Sequence, residues 1–213
     1  MSKYILKFEK ADSVKYVSHL DLIRVFDRAM RRAQLPMGYS QGFNPHPLMT
    51  FAHPLGVGVS SIGELVEITT AEHLQEKEFL NRLQEFMPVG FKLIDIKEIE
   101  GKNNFARLTS ADYKINIEGK FPESDLVKSF NKLKEILIDK KTKSGIKETD
   151  IRPFILSFEG NMGVYMARLK TGAENLKPEL FVKALEKYIP DFSPEWVQIL
   201  RVQLNDGEGN SLF

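Results

Sequence analysis

The sequence predicts an α+β fold made of two tandem ferredoxin-like (βαββαβ) halves with antiparallel sheets. Three observations predict it. Period-two apolar stretches alternate with stretches of helical spacing, in the order strand, helix, strand, strand, helix, strand. The same order returns roughly 100 residues later. Phe86-Met87-Pro88, closing the second helix of the first half, has a counterpart in Tyr188-Ile189-Pro190. The expected organisation is a first domain at 1–100, a linker at 101–110 and a second domain at 111–213. A single α+β domain with an accidental repeat is the alternative.

Each element has a local reason. Tyr4, Leu6 and Phe8 alternate with Ile5, Lys7 and Glu9, which is a strand period. Residues 18–34 read as a helix: Ser18 with Asp21 is a capping signature, and Leu20, Ile23, Phe26, Met30 and Ala33 form an apolar stripe before Pro36. Leu48–Ala52 and Glu64–Thr70 are short strands. Residues 74–87 are helical, with Phe79, Leu80, Leu83, Phe86 and Met87 on one side, and Phe91–Ile99 is rich in strand formers. Gly101 opens the polar stretch 101–110. Tyr113, Ile115 and Ile117 then alternate, and residues 123–138 read as a helix through Leu126, Phe130, Leu133 and Leu137. Phe154, Leu156 and Phe158 form a strand that a tight Gly160–Gly163 turn joins to Val164–Lys170. Pro178 starts a helix through Leu180, Phe181, Ala184, Leu185 and Tyr188, and Trp196–Leu204 closes the set. Trp196 and the phenylalanines at regular spacing read as core. The lysines Lys140, Lys141, Lys143 and Lys147 read as a solvated loop.

Composition narrows the function classes. The 213 residues are 42% hydrophobic and 28% charged, which is a globular balance. There is no cysteine, so disulfides, thiolate zinc, Fe–S ligation and a cysteine nucleophile are excluded. No window is apolar enough for a membrane span, and the charged start MSKYILKFEKAD lacks a signal-peptide core. A cytoplasmic protein with no cofactor of its own and no membrane association is the expectation. Net charge is only +1, but residues 1–60 hold eight basic groups (Lys3, Lys7, Lys10, Lys15, Arg24, Arg28, Arg31, Arg32) against four acids. An anion site is to be sought there.

The densest chemistry lies between Tyr16 and Glu64. Arg24, Arg28, Arg31 and Arg32 stand mostly opposite the apolar stripe, and guanidinium forks suit phosphate or carboxylate. The bland alternative is a solvated face with Asp21 pairing Arg24 and Asp27 pairing Arg31. Downstream, Gly42, Pro45 and Pro47 shape a turn in which Ser40, Gln41 and Asn44 offer donors and acceptors and Tyr39 and Phe43 offer stacking faces. That mixture suits an unpaired base or another small polar ligand, or else a connection held by its own turn hydrogen bonds. His19, His46 and His53 fall in the same region, but their spacing matches no metal-ligand pattern, and no metal is assigned. His19 and His46 are the candidates for acid–base chemistry. Gly56-Val57-Gly58 precedes a strand, the wrong context for a dinucleotide turn, and no P-loop or nucleophile elbow is present.

The stretch from Tyr16 to Glu64 resembles the radical SAM-linked protein family, a family of uncharacterised bacterial proteins. The residues that carry the resemblance are Ser18-His19-Leu20-Asp21, Arg24, Arg31-Arg32-Ala33, Leu35-Pro36, Tyr39 through Pro47, Pro54-Leu55, Gly58, Ser60 and Glu64. The resemblance implies a separate radical SAM enzyme as partner, which holds the Fe–S cluster and does the radical chemistry. A second likeness is architectural: tandem ferredoxin-like halves with an Arg-rich first helix are similar to CRISPR RNA-processing endonucleases. This chain lacks their C-terminal glycine-rich loop, because Gly207-Glu208-Gly209 follows the last strand instead of preceding it.

Three functions follow as expectations. The first is an accessory protein, non-catalytic by itself, that works with a radical SAM enzyme and recognises RNA or another anionic substrate. It would use Arg24, Arg28, Arg31, Arg32, Tyr39, Ser40, Gln41, Phe43, Asn44 and His46. The second is a metal-independent ribonuclease using His19 or His46. The third is a small-molecule-binding enzyme with its pocket at the same loop.

Overall fold

The computed structural model describes residues 1–122, 125–142 and 145–213. They form an α+β protein with a mostly antiparallel sheet and, among the described residues, four α-helices. The chain divides into two compact units, Met1–Leu108 with Ser211–Phe213, and Thr109–Asn210.

The first unit contains strand β1 (Ser2–Lys10), helix α1 (His19–Arg32), strands β2 (Met49–Phe51) and β3 (Ser60–Thr70), helix α2 (Glu76–Phe86) and strand β4 (Phe91–Ile99). Its strands run in the spatial order β4-β1-β3-β2, every neighbouring pair antiparallel. Tyr4, Leu6 and Phe8 of β1 face one buried cluster with Val66 and Ile68 of β3, Phe26 and Met30 of α1, and Phe79 and Leu83 of α2. Edge-to-face ring pairs lock that cluster: Phe8 with Phe26 at 4.9 Å between centroids, and Tyr4 with Phe79 at 5.1 Å.

Two expectations for this unit need correction. Leu20 is 66% exposed, and the stripe that packs inward is Leu22, Phe26, Ala29, Met30 and Ala33. Strand β3 begins at Ser60, not Glu64, because Ser61 pairs with Lys10 at the end of β1 and both Ser60 and Ser61 are buried. The stretch expected as a linker is structured in part: Phe105–Arg107 is a 3-10 turn, and Ser110 already belongs to the next strand.

The second unit contains β5 (Ser110–Lys120), α3 (Leu126–Asn131), β6 (Leu137–Thr142), β7 (Gly145–Asp150), β8 (Ile155–Asn161), β9 (Val164–Lys170), α4 (Pro178–Tyr188) and β10 (Ser193–Asn205). Four of these strands are ordered β10-β5-β9-β8, again antiparallel throughout. Phe130, Phe158 and Phe181 pack edge to face at 5.0–5.6 Å in the core. The β8–β9 hairpin closes on Met162 and Gly163, both at positive φ (49° and 76°), the two-residue turn whose twist suits paired strands.

The helix expected at 123–138 is the main error. Glu123 and Ser124 lie outside the described residues; the helix itself ends at Asn131, and Leu137–Thr142 and Gly145–Asp150 form a separate antiparallel pair, the β6–β7 hairpin. Leu126 and Phe130 keep helical spacing, but Ile136 and Ile138 alternate and are both buried, which is a strand period. Asp150 accepts from Ile136 N at 2.8 Å, and Ile151 N donates to Ile136 O at 2.8 Å, so the hairpin is tied at its base. Of the lysines read as a solvated loop, Lys140, Lys141 and Lys147 fall on paired strands: Lys140 stands opposite Lys147, and Lys140 Nζ donates to Asn175 O. Lys141 is on β6, and Lys143 lies outside the described residues. Phe154 sits in a 3-10 turn and Leu156 is exposed, because a bulge between Ile155 and Ser157 interrupts the alternation. Trp196 is 42% exposed and is not core.

Candidate functional site

Helix α1 is the scaffold. Ser18 caps it: its Oγ accepts from Asp21 N at 3.2 Å, and its hydroxyl donates to Asp21 Oδ2 at 2.7 Å. That hydroxyl, and then Arg24, hold the Asp21 carboxyl below the ordinary aspartate value. At the other end Arg82 of α2 donates to Ala33 O and Gln34 O, both at 2.9 Å, satisfying carbonyls that the helix leaves open. Gln34 takes a left-handed φ of 52°, and the chain turns away there.

Arg24, Arg28, Arg31 and Arg32 are all exposed. At 3.6 residues per turn they span an arc of about 100°, roughly opposite the buried stripe. Two of them have partners. Arg24 Nη1 donates to Asp21 Oδ1 and Arg31 Nε to Asp27 Oδ1, each at 2.9 Å. The Asp27 bond raises the Arg31 pKa further. Both pairs are solvent-exposed, the kind that contributes little and that a phosphate displaces at small cost. Arg28 and Arg32 make no hydrogen bond or ion pair among the described residues.

The segment after α1 is a pinned loop. Gly38 N donates to Thr69 O at 2.8 Å and Thr69 N to Leu48 O at 3.0 Å, so both legs are stitched to β3, and Leu48 N donates to Gly38 O at 2.9 Å, tying the legs to each other. Above that, Tyr39 bridges to Pro47, and Ser40 N donates to His46 O at 2.9 Å. The Ser40 hydroxyl accepts from His46 N at 3.1 Å and lies 2.9 Å from His46 Nδ1. The tip, residues 41–45, is exposed throughout. Gly42 has φ +122°, a backbone that other residues rarely adopt, and Phe43 is fully exposed at 107%. Gln41 and Asn44 make no side-chain hydrogen bond among the described residues.

Helix and loop meet through an arginine and a ring. The Arg31 guanidinium lies 5.9 Å from the centre of the Tyr39 ring, within cation–π reach. Arg31, Tyr39, Ser40 and His46 are thereby linked in a chain of direct contacts, and Gln41, Phe43 and Asn44 ride on the same loop.

His19 is elsewhere. It sits in the first turn of α1, edge-on to Phe51 at 5.3 Å, with Nδ1 buried and unpartnered. Burial lowers its pKa, against a smaller opposing effect from Glu64, so the ring favours its neutral form. Twelve residues of helix, roughly 18 Å at 1.5 Å per residue, separate it from Arg31. No contact joins His19 to His46 among the described residues. His53 lies in the bend after β2 and takes no part in the Arg31–Tyr39 contact. Among the described residues no group of three or more His, Asp and Glu side chains is placed to hold a metal ion.

No motif in the chain points to a concavity of about 380 Å³ lined by Ile5, Lys97, Asn104 and Phe213, where Lys97 Nζ sits 4.2 Å from the Phe213 ring. It lies apart from the arginine face. A surface for an extended polyanion needs charge and access more than enclosure, so the arginine face is the stronger candidate.

A family model described as "Uncharacterized protein conserved in bacteria (DUF2344)" matches residues 3–179. The chain belongs to this family. No curated protein sequence matches it significantly. Among solved structures it is similar to an unknown protein from Galdieria sulphuraria, with 12% identity and a TM-score of 0.28 over 94% of this chain and 98% of the other. It is also similar to a complex of TiaS with an isoleucine tRNA and ATP, with 10% identity and a TM-score of 0.25 over 95% of this chain and 59% of the other. Scores this low bear on neither fold nor function. Among the described residues no helix is long and apolar enough to cross a membrane.

Proposed function

We propose that the chain is an accessory anion-recognition protein that works with a separate radical SAM enzyme in the cytoplasm and holds RNA or another anionic substrate for it. It would not be catalytic alone. The observation that carries this reading is the Arg31–Tyr39 contact, which joins a helix face with two unengaged guanidiniums, Arg28 and Arg32, to a pinned loop with free amides and an exposed ring. The radical SAM partner rests on the resemblance over Tyr16–Glu64. The reading includes two ferredoxin-like halves, domains at 1–100 and 111–213, supported by the strand orders β4-β1-β3-β2 and β10-β5-β9-β8. The β6–β7 hairpin is then an insertion between the first helix and second strand of the latter half.

Purification of the tagged chain from its source cell tests the reading, with bound proteins and RNA both identified. A radical SAM enzyme is expected in the parent preparation, together with an anionic ligand that disappears in Arg28→Gln/Arg32→Gln. Absence of any radical SAM enzyme, or an unchanged anionic ligand in the double variant, overturns it.

A further inference from the structure

We infer that Phe43 is a base-stacking residue and that the arginine face with its loop takes a single-stranded nucleic acid; this rests on the anion-recognition reading and names its ligand. The first observation is the exposure of Phe43. A phenylalanine at 107% exposure buries no surface in its own fold, and it stands at the tip of a loop whose legs are fixed by hydrogen bonds among residues 38, 40, 46, 48 and 69. Legs pinned in this way leave less backbone freedom to be lost on binding than an unpinned loop would.

The second observation is what surrounds it. Gln41 and Asn44 lie on the same exposed loop tip, with amides that have both donor and acceptor atoms and make no hydrogen bond among the described residues. Those are groups that read base edges. Arg24, Arg28 and Arg32 recur every four residues, a rise of about 6 Å, the same order as the phosphate repeat of an extended strand. The Arg31–Tyr39 contact joins that track to the loop that carries Phe43, and a basic track combined with an aromatic platform is how single strands are held without base pairing. Within a duplex the base faces are already stacked, and the A-form major groove is too narrow for side chains. The ring would then stay in water, so the duplex gains only the charge contacts.

The test is equilibrium binding of the full chain to a labelled unstructured RNA oligonucleotide, the DNA strand of the same sequence, and the blunt RNA duplex. The single strands are expected to bind about tenfold or more tighter than the duplex. Phe43→Ala is expected to lose about tenfold or more on the single strands, and Phe43→Trp to retain binding. Because the Phe43 ring is fully exposed, both Phe43 variants should melt with the parent. Weaker binding of the DNA strand than the RNA strand would assign the ligand as RNA through its 2′-hydroxyl; equal binding assigns the shared single-strand chemistry. Equal affinity for duplex and strand, or an unaffected Phe43→Ala, overturns the inference. Anion recognition itself survives that result if Arg28→Gln/Arg32→Gln still weakens binding, and fails with it if the double variant binds like the parent. Loss of a protein partner in Phe43→Ala with oligonucleotide binding intact also overturns the inference, and makes the ring a protein anchor.

Discussion

Single residues at the start of α1 have clear local roles. Ser18 caps the helix and also supplies the largest effect on Asp21. Ser18→Ala is expected to cost about 1 kcal/mol, read as a lower midpoint in chemical unfolding. Since Asp21 has a lower pKa folded than unfolded, it contributes stability above the unfolded carboxylate value, and that contribution is lost as pH falls through the folded value. Ser18→Ala should flatten this part of the acid limb. His19 runs in the same sense for a different reason. Burial depresses its pKa, so the unfolded chain binds the proton more readily, and stability falls as pH drops from the ordinary histidine range through the lowered value. A His19 NMR titration midpoint at or above the ordinary value would contradict the buried, neutral ring. The cap was legible in the sequence because it is a four-residue interaction. The choice between Leu20 and Leu22 was not: both are leucines two positions apart in the first turn, and only the aromatic cluster beneath α1 decides which turns inward.

Among the elements, α1 is held by that cluster. Phe26 is fully buried against Phe8 and Phe51, with ring centroids at 4.9 and 5.6 Å. Phe26→Ala is expected to cost about 3–5 kcal/mol, visible as a large fall in the melting temperature. A loss below about 1 kcal/mol would mean α1 is not anchored as described. Strands β1, β4 and β9 and the start of α4 were readable from local pattern, because period-two alternation, a run of strand formers, a tight glycine turn and a proline at a helix start carry their information within a few residues. The β6–β7 hairpin was not. Leu126, Phe130, Leu133 and Leu137 continue a helical spacing through the point where the chain changes state. What decides the change is distant: the Tyr188 hydroxyl accepts from Leu137 N at 2.8 Å, and Lys187 Nζ donates to Leu137 O at 2.8 Å, both from α4. The pinned loop divides the same way. Its prolines and glycines announce a shaped turn, but its stitching to Thr69 depends on strand β3, far along the chain from Gly38.

For the molecule as a whole, the proposed role requires one surface that gathers negative charge from a ligand while the protein's own net charge is near neutral. The constituents of that surface were all visible as residue types. Their union was not, because the Arg31–Tyr39 contact depends on the chain reversing at Gln34 and Pro36. The arginines are exposed and the apolar stripe lies behind them, so charge can be removed from this face without touching the core. The decisive measurement is the salt dependence of binding to an unstructured RNA strand for the parent and for Arg28→Gln/Arg32→Gln. If both arginines meet phosphates, the log–log slope should lose about 1.4 in magnitude, affinity should fall at low salt, and the melting temperature should stay with the parent. A double variant with the parent's affinity and slope would mean that these guanidiniums meet no phosphate, and the proposed role would fall.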